Sequence, residues 1–169
     1  MIEVVLADAA AARAFGEALA GELRAGDLVL LTGPLGAGKT TLTQGIGTGL
    51  GVRGQVASPT FIIARVHPPL GDGPALVHVD AYRLDSLDDL EALDLDASLD
   101  ESVTVVEWGE GLAEVLAEDR LEVTIARPHG VEGAAELDPE EADVGPRLVT
   151  VHAVGPRWDG VELPRGVTA

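Results

Sequence analysis

Residues 33–40, Gly-Pro-Leu-Gly-Ala-Gly-Lys-Thr, are the most constraining feature of the chain. This stretch matches the G-x-x-x-x-G-K-T pattern of loops that wrap a phosphate group with backbone N–H groups. The apolar run Leu28–Leu31 precedes the loop, and a helix is predicted over Lys39–Leu50, so the pattern has the strand–loop–helix setting that it requires. An ordinary glycine-rich turn is the weaker alternative. The sequence therefore predicts a site for a nucleoside triphosphate.

The residues of this loop have separate expected tasks. Gly36 and Gly38 allow unusual backbone conformations and a close approach to phosphate. Lys39 is expected to reach the β- and γ-phosphates, and the hydroxyl of Thr40 to hold Mg²⁺. The N-terminal dipole of the following helix favours the same negative charge. The nucleotide-binding residues predicted within the loop are Leu35, Gly36, Ala37, Gly38, Lys39, Thr40 and Thr41.

Lysine usage singles out the same loop. Lys39 is the one lysine among 11 basic residues, and the others are all arginine. A general preference for arginine explains most of this bias. A compact ammonium, however, fits between phosphates where a planar guanidinium does not, which explains why this lysine is retained.

Two acidic residues are candidates for the second element of a nucleotide site. P-loop folds need an acid at the end of a buried strand, to hold Mg²⁺ or its water ligands. Asp80 follows the strand candidate 76–79, and Glu107 follows Val103–Val106. Spacing alone does not choose between them, and a carboxylate facing solvent is the alternative for each. Trp108 is expected to wall the nucleotide pocket, with a place in the core as its alternative.

Thr60 lies in a second short segment of interest, Ser58-Pro59-Thr60-Phe61, which enters a predicted strand. Its hydroxyl can approach the γ-phosphate or Mg²⁺, as residues of switch loops do. From the local pattern alone, a simple Ser/Thr turn is the stronger alternative. His78 and Tyr82 flank Asp80, and for a lone His or Tyr a packing role is the first expectation.

Composition limits the classes of partner and chemistry. The net charge of −18 opposes direct binding to phosphate backbones, which normally needs clustered Lys and Arg. The plainest explanation of this charge is solubility; the other is that any nucleic acid is touched by a partner protein. Because the chain has no cysteine, disulfides, thiolate zinc sites and thiol catalysis are excluded.

Targeting signals are not predicted. The opening MIEVVLADAA lacks the basic region and apolar core of a signal peptide. No run of about 18 apolar residues occurs, so no membrane-spanning helix is expected. We expect a soluble, cytoplasmic protein.

The order of predicted elements indicates an α/β fold. Strand, glycine-rich loop, helix and further strands favour a single P-loop NTPase-like domain with a mixed parallel and antiparallel sheet and helices on both faces. The domain is expected to span residues 1–155. Within it, residues 128–146 are rich in acid, Gly and Pro and are expected to form a loop or insertion. Residues 156–169 are expected to form a flexible tail.

The other elements follow from hydrophobic periodicity. A first helix is predicted from Ala9 to about Leu23 with Asp8 as its N-cap. A hairpin is predicted within 61–79, which makes part of the sheet antiparallel. Late strands are predicted over Leu121–Ile125 and Leu148–Val154.

The identity of the base is addressed by elimination. Guanine is usually recognised by an N-K-x-D or T-K-x-D motif. The chain contains no asparagine, and its one lysine lies in the phosphate-binding loop. ATP is therefore the expected nucleotide.

Four further segments, taken with the loop, carry a family resemblance. The series GPLGAGKTT (33–41), SPTF (58–61), HVDAYRL (78–84) and VVEWGE (105–110), after the opening FGEALA (15–20), resembles the TsaE family, also called YjeE, in order and spacing. Many families share the loop, whereas the combination with the later segments is highly specific. The resemblance covers about residues 9–110.

The resemblance implies a bacterial ATPase needed to make N6-threonylcarbamoyladenosine at position 37 of tRNA. Members of this family do not transfer the threonylcarbamoyl group themselves. They dock on the TsaB–TsaD heterodimer, and their ATP hydrolysis is thought to reset that complex between turnovers. In this scheme the partner complex holds most of the tRNA, which agrees with the acidic composition.

The resemblance also implies roles for individual residues. Lys39 would neutralise the phosphates, while Thr40 and Glu107 would be associated with Mg²⁺. Asp80 would be a catalytic acid that orients the attacking water, and Thr60 the threonine of the switch loop. The remaining implied contributors, to the active site or the partner surface, are Tyr82 and Arg83.

The chain departs from the family pattern at two positions. Pro34 stands where the family usually has Asp, and Ala12 stands where the first helix usually has a Thr near the nucleotide. Two rival functions remain beside the ATPase. One is a small-molecule kinase, with Arg120 and Arg127 as lid residues, and the other is an adaptor that binds ATP only to control assembly.

Overall fold

Helices and strands alternate along the computed structural model, which describes residues 1–34, 37–53, 56, 64–81, 84, 86–108, 111, 113–126 and 145–165. The strands are β1 (Ile2–Leu6), β2 (Leu28–Thr32), β3 (Ala64–His67), β4 (Ala75–Asp80), β5 (Ser102–Glu107), β6 (Arg120–Ala126) and β7 (Arg147–Val154). The α-helices are α1 (Ala9–Ala20), α2 (Lys39–Leu50), α3 (Leu87–Glu91) and α4 (Asp96–Leu99). Two short 3₁₀ turns lie at Ala113–Leu116 and Pro156–Trp158.

The strands form one mixed sheet in the order β1-β7-β6-β2-β5-β4-β3. Its four central strands, β6, β2, β5 and β4, run parallel, and β3, β7 and β1 are antiparallel to their neighbours. Every residue of β5 is buried, as expected for a strand covered on both faces. The predicted α/β class with a mixed sheet is therefore confirmed.

Helices cover both faces of this sheet. On one face, α1 and α2 pack over alternate residues of β2, β5 and β6, with Phe15 and Leu42 at the centre of the cluster. On the other face, Leu90 and Leu95 of the α3–α4 region pack over Val77 and Val106. The two phases of the strands thus bury separate apolar layers, since successive strand side chains point to opposite faces.

The two larger helices approach closely because of glycine. A Cβ on Gly16 of α1 would meet the backbone of Leu42 and Ile46 in α2. Asp8 caps α1 as predicted, because its carboxylate accepts the N–H of Ala11 at 2.8 Å. The helix ends at Ala20, earlier than the predicted Leu23.

Residues just after β7 differ from the sequence expectation. The sequence predicts a flexible tail from residue 156, but Pro156–Trp158 forms a 3₁₀ turn that buries Trp158 to 5 % exposure against the α1–α2 layer. Arg157 forms an ion pair with buried Asp27, which precedes β2, at 3.0 Å. This expectation was wrong for Pro156–Trp158, because local composition does not show a long-range ion pair. Residues 127–144 lie outside the described part, so the expected loop there stays a prediction.

Candidate nucleotide-binding site

The phosphate-binding loop joins the end of β2 to the start of α2. Gly38 has a φ of 106°, a left-handed conformation that favours glycine, and it caps the helix that begins at Lys39. The N–H of Ala37 donates to the carbonyl of Pro34 at 3.1 Å, which closes a turn within the loop. Leu35 and Gly36, also predicted to bind the nucleotide, lie outside the described residues.

Lys39 lies within the loop and is only 6 % exposed. Its Nζ donates to the carbonyl oxygens of Gly33 at 2.7 Å and Pro34 at 2.9 Å. Burial lowers the pKa of Lys39 from its ordinary value of 10.5, while the nearby carboxylates of Glu107 and Asp80 raise it in part. The ammonium is therefore held at a site where an additional anion would stabilise it.

The two acids that spacing could not separate lie side by side. Since β4, β5 and β2 are parallel neighbours, their carboxyl ends meet at one edge of the sheet, where the loop begins. Asp80 is directly opposite Glu107 in the register, and Glu107 is opposite Leu31. The sheet thus brings both candidates to the phosphate-binding loop.

Glu107 links this edge to α2. Its side chain is buried, and its Oε1 accepts the hydroxyl of Thr40 at 3.5 Å, the long limit of a hydrogen bond. Its other oxygen, Oε2, lies 3.2 Å from Nε2 of His78. His78 is fully buried, and neither of its ring nitrogens makes a well-aligned hydrogen bond within the described residues. The His78 ring therefore lies against this carboxylate without a directed hydrogen bond.

Thr40, Glu107 and Asp80 supply hard oxygen donors beside Lys39. Across the part of the chain that the structure describes, no group of three or more His, Asp or Glu side chains could hold a metal ion. Mg²⁺ bound to a nucleotide keeps several waters and needs only one or two protein ligands besides the phosphates. The donor set therefore fits the Mg²⁺ that the sequence predicts.

Trp108 follows Glu107 in a strained backbone conformation. Its φ is 60°, which is unusual for a bulky residue and typical of functional sites. The indole ring lies 4.2 Å from Nζ of Lys39, within the range of a cation–π contact. The backbone turn thus places the ring beside the loop.

A cleft of about 490 Å³ opens on the β6 side of the loop. It is lined by Thr32, Gly33, Pro34, Trp108, Thr124, Ile125 and Ala126. Its walls are mainly apolar, and it adjoins the loop directly. The cleft can therefore receive a ligand group attached to a bound phosphate.

Arg147 is a residue of this region that the sequence did not indicate. It is the first residue of β7, is 1 % exposed, and donates from Nε to the carbonyl of Ala37 at 3.2 Å. The sequence predicts this strand from Leu148, one residue after Arg147. The available signal was a charged residue in phase with buried Val149 and Val151 of an alternating strand.

The other predicted residues divide into two groups. Ala37 and Thr41 are buried beside the loop, at 1 % and 8 % exposure. Ala12 is buried within the α1–α2 layer and supplies no hydroxyl there. The predicted residues that lie outside the described part are Thr60, Tyr82, Arg83 and Arg127.

Comparison with known proteins identifies the family of this chain. A family model described as threonylcarbamoyl adenosine biosynthesis protein TsaE matches residues 6–133. The chain belongs to the TsaE family. It is therefore a component of tRNA threonylcarbamoyladenosine biosynthesis, and membership in TsaE implies nucleotide binding.

Individual relatives agree with the TsaE family. A TsaE from Streptomyces coelicolor is 62% identical over 147 residues, 86% of this chain and 93% of the relative. A TsaE from Bacillus subtilis is 36% identical over 149 residues, 87% of this chain and 82% of that one. Both are described as tRNA threonylcarbamoyladenosine biosynthesis proteins.

A solved structure supports the fold. The crystal structure of Bacillus subtilis YdiB matches with a TM-score of 0.67 and 29% sequence identity. The match covers 94% of this chain and 88% of that one. Within the described residues of this TsaE chain, no helix is both long and apolar enough to span a membrane.

Proposed function

We propose that this chain is the Mg²⁺-dependent ATPase of tRNA threonylcarbamoyladenosine synthesis, acting with the TsaB–TsaD heterodimer. The observation that carries the proposal is the cluster at the carboxyl ends of β2, β4 and β5. There Lys39, Thr40, Glu107 and Asp80 come together at a loop whose Gly38 caps the following helix in a left-handed conformation.

Lys39 binds the β- and γ-phosphates in this proposal. Its ammonium is costly to bury, as the lowered pKa indicates, and a polyphosphate supplies the missing negative charge. The backbone N–H groups at the start of α2 face the same region. The loop and the lysine therefore act on the charge that develops during phosphoryl transfer.

Thr40 and Glu107 would hold Mg²⁺, directly or through water. The bound ion would supply positive charge that offsets the negative charge of the phosphates. The side chain of Glu107 is positioned by the hydroxyl of Thr40 at one oxygen, and the ring of His78 lies beside the other. The strand register thus sets the position of the acid relative to the loop.

Asp80 orients the attacking water. It lies opposite Glu107 at the same strand end but is half-buried, so its side chain has access to the solvent side of the site. Thr60 is proposed to complete the site as the threonine of the switch segment. This division gives the metal and the water separate carboxylates.

The adenosine lies in the cleft beside Trp108. That cleft is on the β6 side of the loop, whereas the two acids are on the β5 side. A nucleotide with its triphosphate on Lys39 can extend its base toward Thr124–Ala126. The absence of a guanine-recognition motif in the sequence favours ATP.

Hydrolysis by the chain alone is proposed to be slow and to be raised by TsaB–TsaD. Phosphoryl transfer depends on positioning and charge, so one group supplied by a partner can change the rate by several powers of ten. The cycle of hydrolysis resets the complex between turnovers. The complex, and not this acidic chain, makes most of the contacts with tRNA.

The kinase alternative loses one of its two candidate residues. Arg120 begins β6, and its strand runs parallel to β2, so it lies at the sheet edge opposite the phosphate-binding loop. It is engaged with Glu122 at 2.9 Å. This arrangement does not suit a lid over the nucleotide, and no observation favours an adaptor without turnover.

The test is ATP hydrolysis with Mg²⁺, measured with and without TsaB–TsaD and tRNA. Lys39→Ala should reduce the stimulated rate by about 100-fold or more, because it removes a charge that acts directly on the transferred group. Arg24→Ala is the control, since this exposed cation lies just before β2, at the other end of that strand. A stimulated rate that survives in Lys39→Ala would sink the site assignment.

A further inference from the structure

Arg147 is a buried cation that contacts the phosphate-binding loop from a distant part of the chain. The residue is 1 % exposed, and its Nε donates to the carbonyl of Ala37 at 3.2 Å. A Cβ on Gly38 would lie 3.0 Å from the same Nε. Arg147 therefore fills the space next to Gly38, the residue that caps α2.

Sheet topology explains how Arg147 reaches the loop. Because β7 is antiparallel to β6, it starts at the edge where β6 and β2 end. Arg147 has an inward phase, with Val149 and Val151 following it in the same apolar layer. A side chain at this first position thus points beneath the loop that leaves β2.

The contact fixes the direction of a peptide group. In a planar trans peptide, the carbonyl of Ala37 and the N–H of Gly38 point in opposite directions. When Arg147 holds that carbonyl on its own side, the N–H of Gly38 is directed away from Arg147. Lys39 holds the carbonyls of Gly33 and Pro34 in the same loop by its own hydrogen bonds.

We propose that Arg147 is a positioning residue for the nucleotide site, which holds the Ala37–Gly38 peptide so that its N–H faces the bound phosphate. This inference rests on the proposed function as a nucleotide-binding protein. The residue lies beyond the range 6–133 that the family model matches. It makes β7 part of the nucleotide site rather than only an outer strand of the sheet.

The experiment compares two arginines that are both largely buried. Arg147→Met keeps the length of the side chain and removes its donors, and Arg147→Lys keeps the charge but removes Nε. Arg157→Met is the matched control, because Arg157 pairs with Asp27 just before β2, whereas the loop follows β2. The measurements are the Kd of a fluorescent ATP analogue with Mg²⁺ and the thermal midpoint of each variant.

The expected result is a split between affinity and stability. Arg147→Met and Arg147→Lys should each raise the Kd about tenfold, which corresponds to about 1.4 kcal/mol. Arg157→Met should lower the midpoint and leave the Kd within about twofold, a change of less than half a kcal/mol. Equal Kd values for Arg147→Met and wild type would overturn the proposal, as would equal weakening in Arg147→Met and Arg157→Met. Wild-type affinity in Arg147→Lys would show that charge alone matters and would overturn positioning by Nε.

A measurement on the wild-type chain tests the inference even if the Arg147 variants do not fold. In a ¹⁵N NMR spectrum, the Nε–H of Arg147 should be protected from exchange and should shift when ADP and Mg²⁺ are added. An Nε–H signal that exchanges rapidly, or that ignores the nucleotide, contradicts the inference. If wild type binds no nucleotide at all, the proposed function fails first; if it binds and Arg147 is indifferent, only this inference fails.

Discussion

The two ends of strand β2 bury charge in different ways. At its amino end, Asp27 accepts Nε and Nη2 of Arg157 at 3.1 and 3.0 Å, and the backbone N–H of Arg24 at 2.8 Å. The Arg157 guanidinium also lies 4.2 Å from the ring of Trp158. Each charge has an opposite charge at hydrogen-bonding distance, so this end is matched within the chain itself.

The carboxyl end of β2 also leads to buried charged side chains, but their hydrogen bonds are to neutral groups or are long. Lys39 donates to two neutral carbonyls, and the hydrogen bond from Thr40 to Glu107 is 3.5 Å long. The pKa of Lys39 is lowered, which means that nearby acids offset only part of its burial. The comparison indicates that one end stabilises the fold and the other is arranged for a charged ligand.

The largest expected effect concerns Asp80 and Glu107, the two acids near the carboxyl end of β2. Asp80→Asn and Glu107→Gln preserve side-chain shape. Each should lower partner-stimulated hydrolysis by about 100-fold, since each removes a charge from the proposed site of phosphoryl transfer. Asp80→Asn should lower kcat with little change in nucleotide Kd. Glu107→Gln should also raise the Mg²⁺ concentration needed for half-maximal activity.

A kinetic comparison of these two variants checks the division of roles. Rates are measured across a Mg²⁺ titration, with Glu101→Gln as the control because this exposed acid precedes β5 at the opposite sheet edge. If the Mg²⁺ requirement shifts in Asp80→Asn and not in Glu107→Gln, the two assignments must be exchanged.

The next effect concerns the Asp27–Arg157 ion pair at the amino end of β2. Arg157→Met leaves the Asp27 carboxylate buried without its partner, which should cost about 2 kcal/mol of unfolding free energy, less than a fully buried pair because Arg157 is partly exposed. For a chain of this size the thermal midpoint should fall by roughly 4–8 °C. Chemical denaturation measures the free energy. A stability equal to that of wild type would show that the two ends of β2 differ less than their geometry suggests.

Local signals in the sequence were enough for the elements around the loop. The apolar run of β2, the glycine pattern and the helix from Lys39 are all encoded within a few residues of one another, and the fold class followed from their order. The apolar spacing predicts that α1 continues to about Leu23, which is buried, although the helix ends at Ala20. Periodicity reports burial, and burial continues past the end of a helix.

Long-range features were not accessible in the same way. Spacing could not decide between Asp80 and Glu107, since their proximity depends on the register of β4 against β5. Arg147 contacts Ala37 across 110 positions in the sequence, and Arg157 contacts Asp27 across 130. Such contacts are set by sheet order, which no local pattern in this chain specified. They carry the buried charge at both ends of β2.

The smallest expected effect is the uptake of a fraction of a proton when the nucleotide binds near Lys39. In the free protein, burial lowers the pKa of Lys39 below 10.5. A bound triphosphate adds negative charge and should raise that pKa again. Between the two pKa values, nucleotide binding must therefore take up protons, and affinity must fall as the pH rises through this window.

Calorimetry of nucleotide binding in two buffers of different ionisation enthalpy measures this uptake. Titrations between about pH 8 and 10 avoid the phosphate group itself, whose second pKa is about 6. The stability of the nucleotide-free protein gives an independent measurement. Because the unfolded state holds the Lys39 proton more tightly than the folded state, the stability of wild type relative to Lys39→Met should increase as the pH rises toward 10.5. Binding with no proton uptake at any pH in the series would mean that Lys39 is already matched in the free protein, and the distinction between the two ends of β2 would be lost.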